Sequence, residues 1–422
     1  MSSGSFRFVH CADLHLDSTF SGISYMEQPL AGMLGNAISR AFDRVVDTAI
    51  DEGAGFIVIA GDIYERGNAG LKGQLCFRDA VRRASEAGVG CFLVRGNHDP
   101  LDSLKSVVTL PPSVEEFGPG LEVKTFSSGG EIQAEIYGIS YESQEEFRNL
   151  ASLFTAEGDP SVFRIGLLHC NLGGNPGHGN YAPCTMADLE RAGMDYWALG
   201  HIHTPEIVRP ANPSVVYAGN IQGRDIGETG KRGCYLVEVD DGKVASIDFR
   251  STAQIIWSDL VLDVTGIADA ETLTDNLRDL CDRQRKEMTG IPSIARVTLE
   301  GSSEIVRLIE NRDSWLEVLD LVRDEERRKL DPVWIQSVRN LATLPMDTEK
   351  LRKGEDFIAD FLGLCDRARE DPSALPGMLE NNEAFRIVRE FLGNTKDPSF
   401  LAGLVDEAEK LGLSELTRGA ER

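Results

Sequence analysis

The chain has 422 residues, of which 41% are hydrophobic and 26% charged, and its formal net charge is −25. Residues 1–250 hold 20 basic and 33 acidic residues and 251–422 hold 23 and 35, so neither half carries a general attraction for nucleic acid. No apolar run approaches the roughly 20 residues that span a bilayer, the start MSSGSFRFVH has no basic cluster or long apolar stretch, and eight cysteines lack a CxxC pair, which together predict a reduced cytoplasmic protein with no export signal and no membrane contact.

Strand and helix patterns alternate over residues 1–252. FRFVHCA (6–12) is a strand. AISRAFDRVVDTAIDEG (37–53) carries apolar residues at 38, 42, 45, 46, 49 and 50, a helical stripe that ends at Gly53. FIVIA (56–60) is a short apolar run of strand length, LCFRDAVRRASEAGV (75–89) is helical, and CFLV (91–94) is again a strand. AEIYGIS (134–140), FRIGLLH (163–169), MDYWALG (194–200), VVYAG (215–219) and GCYLVEV (233–239) follow as strands. The alternation predicts an α/β layered domain with a mixed sheet. From about 253 to 344 the order is strand (254–264), helix (269–288), strand (294–301), helix (313–329), strand (333–341), a small α/β unit without histidine. Residues 345–422 read as helices broken at EDPSALPG and GNTKDPS. Three domains are therefore expected, within the prior of about 100–200 residues each.

Five strand ends carry the chemistry. CFLV gives way to RGNHDP, with Asn97, His98 and Asp99. Leaving such groups buried without partners costs about 2–7 kcal/mol each. The first strand leads into DLH (Asp13, His15), FIVIA into GD (Asp62), RIGLL into His169, and YWAL into GHIH (His201, His203). Ligands in open α/β sheets bind beyond the carboxyl ends of strands. Residues i and i+2 of an extended segment face one side, so DLH and HIH can each serve one cavity. Gly61, Gly96 and Gly200 let the backbone turn beside a crowded centre. Two Asp, one Asn and four His, with no thiolate, favour Mn, Fe or Zn; Mg and Ca prefer sites richer in oxygen. Seven such ligands exceed one tetrahedral ion and suit two ions about 3.5–4 Å apart, sharing one carboxylate.

Other residues have plainer readings. His10 sits inside the first strand and reads as a core histidine. Asp17 reads equally as support for the centre or as a cap. Cys11, Cys91 and Cys170 read as small buried apolar residues. His178, in NLGGNPGHGNYAP, is a candidate substrate contact that reads first as an exposed loop histidine, and Arg224, Lys231 and Arg232 are candidate phosphate contacts that read equally as solvated surface.

The ordered set DLH, GD, GNHD, H, GHIH resembles the calcineurin-like metallophosphoesterases. ADLHLDS, NYAPCTMADLERAGMDYWALGHIHTP and YAGNIQGRDIGETGKRGCYLVEV resemble the SbcD-like DNA repair nucleases, in particular the YhaO-type bacterial branch. The resemblance covers residues 5–250 well, 255–340 more loosely, and fades beyond. It implies a four-layer β-sandwich flanked by helices over 1–252, a DNA-binding α/β capping domain over 253–344, and a helical region over 345–422 that docks a partner. It implies that Asp13, His15 and His203 hold one metal, that Asn97, His169 and His201 hold the second, and that Asp62 bridges them. His98 would face the scissile phosphate as general acid while a hydroxide attacks phosphorus in line, and Asp99 would orient the turn or His98.

The implied function is a DNA phosphodiesterase, an exo- or endonuclease of double-strand-break repair or end processing. Its implied cofactors are two divalent ions, Mn²⁺ first and Fe, Zn or Mg as alternatives. Its implied partners are DNA and an SMC-like, SbcC-related ATPase, and a homodimer is compatible with the resemblance. Some relatives carry His three residues after the bridging Asp, where it helps set exonuclease action; this chain has Glu65 there. The same metal core also serves phosphatases and cyclic-nucleotide phosphodiesterases. A reading of another class is a subunit that mainly binds DNA or the ATPase.

Overall fold

The computed structural model describes residues 5–18, 20, 34–65, 70–103, 107–174, 177, 179–345, 348–371, 375 and 398–420. The chain divides into two compact units, one of residues 1–261, 276–298 and 319–339, the other of 262–275, 299–318 and 340–422.

The first unit is built on two six-stranded sheets. Their strands are β1 (Phe6–Cys11), β2 (Phe56–Ala60), β3 (Gly90–Val94), β4 (Val114–Glu116), β5 (Glu122–Ser128), β6 (Glu131–Gly138), β7 (Phe163–His169), β8 (Tyr196–Gly200), β9 (Glu206–Arg209), β10 (Ser214–Tyr217), β11 (Gly233–Asp240) and β12 (Lys243–Ser251). One sheet has the order β12-β11-β1-β2-β3-β4 and the other β5-β6-β7-β8-β10-β9. β1, β2, β3 and β4 run parallel, as do β6, β7, β8 and β10. Antiparallel β11–β12 and β5–β6 pairs close the edges, so both sheets are mixed as expected.

The layering follows from side-chain alternation. In FIVIA, Ile57 and Ile59 point to one face while Phe56, Val58 and Ala60 point to the other. All five are buried, because both faces of β2 are covered. The first face packs against helices α1 (Ala37–Asp51) and α2 (Leu71–Glu86). The buried stripe of α1 is Ala37, Ile38, Ala41, Phe42, Val45, Val46 and Ala49, the helical spacing read from sequence. Phe42 and Phe77 stack there with ring centroids 5.5 Å apart.

The second face meets the other sheet. Phe6, Phe8, Phe56 and Phe92 pack on Phe163, Ile165, Leu167 and Tyr196. The outer face of that second sheet, with Leu168, Trp197, Leu199 and Tyr217, is covered by Leu150, Phe154 and helix α3 (Met186–Arg191) through Leu189. Helix, sheet, sheet, helix is the expected four-layer α/β sandwich.

Beyond the sandwich, β13 (Ile256–Asp263), β14 (Ser293–Glu300) and β15 (Val333–Asn340) form a three-stranded sheet in that order. Helices α4 (Ala270–Glu287), α5 (Val306–Glu310) and α6 (Arg312–Glu326) connect them. In the second unit, α7 (Thr348–Arg352), α8 (Phe357–Glu370) and α9 (Pro398–Ala420) are joined by ion pairs: Arg352 with Asp366 at 2.9 Å and Glu409 at 2.8 Å, and Arg369 with Asp406 at 2.8 Å. No described helix is long and apolar enough to cross a membrane.

Candidate metal centre

The carboxyl ends of β1, β2, β3, β7 and β8 meet. Loops after β1 and β2 are tied by Asp13 N to Gly61 O at 3.1 Å and His15 N to Asp62 O at 3.0 Å. The second sheet is tied to the first by His169 Nδ1 and the Ala60 carbonyl, 2.9 Å apart. Asp13, His15, Asp62 and His201 all have φ between 46° and 94°, a region L-residues rarely adopt. Such backbone costs about 1–3 kcal/mol per residue and concentrates at functional sites. Here it aims polar side chains inward from the ends of β1, β2 and β8. Gly96 and Gly200 are required by proximity: a Cβ on Gly96 would fall 2.2 Å from Asp62 Oδ1, and one on Gly200 1.9 Å from Ala60 O.

Three sets of ligand atoms lie within 4.8 Å of one another: Asp13, His15 and His203; Asp13, Asp62 and His169; and His15, Asp62 and His98. Asp13 and Asp62, each in two sets, are both buried. Asp62 Oδ2 is 3.4 Å from His169 Nε2 and 3.8 Å from His15 Nε2. His203 Nε2 is 3.8 Å from Asp13 Oδ1 and 3.4 Å from His15 Nε2. Asn97 Oδ1 lies 3.1 Å from His169 Nε2. The ring of His201 lies 5.2 Å from that of His169, and its amide donates to Asp13 at 3.2 Å.

The histidines are fixed from behind. His169 Nδ1 faces a carbonyl, His203 Nδ1 is 2.6 Å from Glu228 Oε1, and His15 Nδ1 is 3.2 Å from Glu65 Oε2. Each therefore keeps Nε2 toward the centre. His201 uses Nε2 on the Gly179 carbonyl at 2.7 Å, which leaves Nδ1. One ring nitrogen held by an acceptor and the other presented inward is the arrangement that orients metal-binding histidines. Burial pushes the His15 imidazole down to about 4, so it is neutral near pH 7, the form a cation needs. The donor set of inward imidazole nitrogens, carboxylates and one amide oxygen fits divalent cations of the Mn, Fe or Zn type.

A second layer of charge surrounds these residues. Glu65 Oε1 is 2.6 Å from His98 Nδ1. Glu65 Oε2 accepts from Ser18 Oγ at 2.8 Å and Arg224 Nη1 at 2.9 Å. Arg224 also donates to Glu228 Oε1 at 3.1 Å, so one guanidinium joins the two carboxylates behind His98 and His203. Burial alone would raise the Glu65 carboxyl, but hydrogen bonds from His15 and His98 outweigh it and hold it well below the usual range. Glu228 is likewise held low against its burial by His203 and Arg224.

The His98 backbone amide donates to Asp62 Oδ1 at 2.9 Å. Asp99 turns away from the centre. It accepts from the amides of Ile63 at 2.9 Å and Gly96 at 3.1 Å, and from Arg95 Nη1 at 3.1 Å. Burial pushes its carboxyl up to about 6, with Arg95 pulling the other way. Asp99 thus fixes the turn that carries Asn97 and His98.

The structure brings together Asp13, His15, Asp62, Asn97, His98, His169, His201 and His203. The other candidates stand differently. Lys231 is exposed, and His178 lies outside the described residues. Arg224 is committed to Glu65 and Glu228, and Arg232 donates to the His203 carbonyl and to Thr229 O. His10 is buried against Tyr196 Oη at 3.0 Å. Asp17 sits by the first turn of α2, beside Gly70 and Gly73. Glu228 carries no local signal in the sequence; its partner His203 is 25 residues away.

Residues 6–205 match the family model described as calcineurin-like phosphoesterase, and residues 257–343 match the middle domain of the metallophosphoesterase YhaO. The chain is 35% identical over 328 residues to the uncharacterized metallophosphoesterase YhaO of Bacillus subtilis, covering 78% of this chain and 79% of that protein. It is 26% identical over 244 residues to the DNA double-strand break repair protein Mre11 of Archaeoglobus fulgidus, covering 53% and 52% of the two chains. Against the protein of that name from Methanopyrus kandleri it is 23% identical over 339 residues, covering 72% and 71%. With a matched calcineurin-like phosphoesterase domain and 35% identity to YhaO over 78% of its length, the chain belongs to the calcineurin-like phosphoesterase family, in the YhaO-type branch.

Proposed function

We propose that the protein is a two-metal DNA phosphodiesterase, a nuclease that works in double-strand-break repair or end processing. The observation that carries this reading is the convergence of Asp13 and Asp62 with buried histidines, of which His169 and His203 already have Nδ1 held by an acceptor. The similarity to proteins named as double-strand break repair proteins supports DNA as the substrate.

In this reading Asp13, His15 and His203 hold one cation, Asn97, His169 and His201 the other, and Asp62 serves both. Divalent cations, Mn²⁺ foremost, supply Lewis-acid activation and neutralise charge on the phosphodiester when bound. His98, held at Nδ1 by Glu65, presents Nε2 as the proton donor to the leaving oxygen. Glu65 aims that imidazole, Asp99 and Arg95 hold its turn, and Arg224 keeps Glu65 in place. The chain contributes orientation and a proton.

We further assign residues 1–252 to catalysis, 253–344 to a DNA-binding cap and 345–422 to docking of an SMC-like, SbcC-related ATPase, in the cytoplasm. A manganese-dependent digestion of linear DNA, run beside hydrolysis of a p-nitrophenyl phosphodiester, tests the reading. Cleavage of both supports it. Hydrolysis of p-nitrophenyl monophosphate alone would point to a phosphatase, and hydrolysis of none to a binding subunit.

A further inference from the structure

An exposed aromatic residue is held rigidly at the edge of the metal centre. Phe147 is 63% exposed. Its ring stacks on Tyr181, with centroids 5.9 Å apart and planes at 28°. Tyr181 in turn meets His201 edge-on at 6.0 Å. The chain of rings therefore runs from solvent to a residue of the centre.

Both loops are braced. Glu146 is buried, and its carboxylate accepts from the Arg148 amide at 2.8 Å and from Arg148 Nε at 2.9 Å, clamping the loop on both sides of Phe147. The Glu146 carbonyl accepts from the Ala182 amide at 2.6 Å, which joins this loop to the one carrying Tyr181. Gly179, whose carbonyl faces His201 Nε2, also accepts from the Tyr181 amide at 2.9 Å. The position of Tyr181 is thus locked to that of His201. Fixing an exposed phenylalanine this way does nothing for the core, because most of its surface stays in water.

We propose that Phe147 and Tyr181 form a stacking platform for a nucleobase whose own phosphate occupies the metal centre. The inference rests on the phosphodiesterase reading above and adds the recognition of a base. Stacking on an aromatic face is tolerant of sequence, since every base has a π-face, and is worth about 1–3 kcal/mol per base. It also needs little positive charge, in a chain whose net charge is −25. A stacked base requires an unpaired nucleotide, so the platform selects single-stranded or frayed ends over intact duplex.

The test compares single-stranded oligonucleotides that carry either a base or an abasic residue at the nucleotide being cleaved. In wild type, loaded with manganese, the abasic substrate should have a KM about 5- to 150-fold higher, the ratio equivalent to about 1–3 kcal/mol. Phe147→Ala and Phe147→Leu should lose this discrimination, Phe147→Trp should keep it, and all should retain wild-type metal content. Binding to the same oligonucleotides by His98→Asn protein, followed by quenching of 2-aminopurine at that nucleotide, reads the platform without turnover. Wild type that ignores the missing base, or Phe147→Leu that discriminates like wild type, overturns the proposal. Base discrimination in binding without hydrolysis of any diester overturns the phosphodiesterase reading and leaves the platform standing.

Discussion

Glu65 Oε1 stands 2.6 Å from Nδ1 of His98, and its second oxygen stands 3.2 Å from Nδ1 of His15. One carboxylate therefore orients both the proposed proton donor and a proposed metal ligand. Glu65→Gln should weaken metal affinity by about 10–100-fold, the usual cost of removing an orienting partner. Excess manganese should restore occupancy but not turnover, because His98 stays unaimed. Metal titration followed by turnover at saturation checks this. Full recovery of turnover would confine Glu65 to the metal.

His98→Asn should keep its metal and lose about 10²–10⁴-fold in DNA hydrolysis. A p-nitrophenyl diester should suffer less, since p-nitrophenolate leaves without a proton. Elemental analysis beside the two assays separates the roles. His98 shares one set of close ligand atoms with His15 and Asp62, so a variant that lost metal would make it a ligand.

Asp99 and Arg95 form a buried pair, with side chains 1% and 5% exposed. Removing Asp99 leaves Arg95 paired only with Glu116, 2.6 Å from its Nε, and orphans the Ile63 and Gly96 amides, at a cost of about 1–3 kcal/mol. Asp99→Ala should show that loss in chemical denaturation of metal-free protein, together with a disordered Asn97–His98 turn and weak metal binding. A stable variant with full activity would remove Asp99 from the architecture of the site.

The strand-end residues were legible because each follows an apolar run, where a polar ligand type has no packing role. The alternation of strands and helices made a layered α/β domain legible, whereas the four-layer order was implied only by the family resemblance. Other features left no such mark. Strands β5, β9 and β12 are edges with no fully buried residue and no continuous apolar run. Arg224 has the composition of a phosphate contact, yet its neighbours in space are Glu65 and Glu228, 159 and 4 residues away. Pairings over such separations are set by the fold and not by local pattern. Phe147 was silent because a lone phenylalanine beside charged residues has no period.

His10 supplies a pH dependence independent of metal. Burial lowers its imidazole to about 3, against about 6.5 in the unfolded chain. The unfolded state therefore binds the extra proton between these values. Stability is complete above about pH 6.5 and falls as pH drops toward 3, by up to about 1.4 kcal/mol per unit from this residue. Metal-free His10→Gln should start less stable and show a shallower loss between pH 6.5 and 4 in denaturant midpoints. Parallel profiles would assign the acid sensitivity elsewhere.

A charge of −25 spread over both halves should make the isolated chain a weak ligand for duplex DNA at physiological salt, no tighter than the ~10⁻⁴–10⁻⁶ M of non-specific binding. Removing residues 345–422 should leave metal content and small-diester hydrolysis intact and abolish co-purification with the ATPase. Tight duplex binding by the free chain would refute the charge reasoning, and normal ATPase capture by the truncated chain would move the docking surface.

The most direct measurement is the metal content of protein purified in manganese, wild type beside Asp62→Asn. A centre in which one carboxylate serves two cations predicts close to two ions per chain in the wild type and loss of most of both in the variant. One ion per wild-type chain, or a variant that retains two, would contradict it.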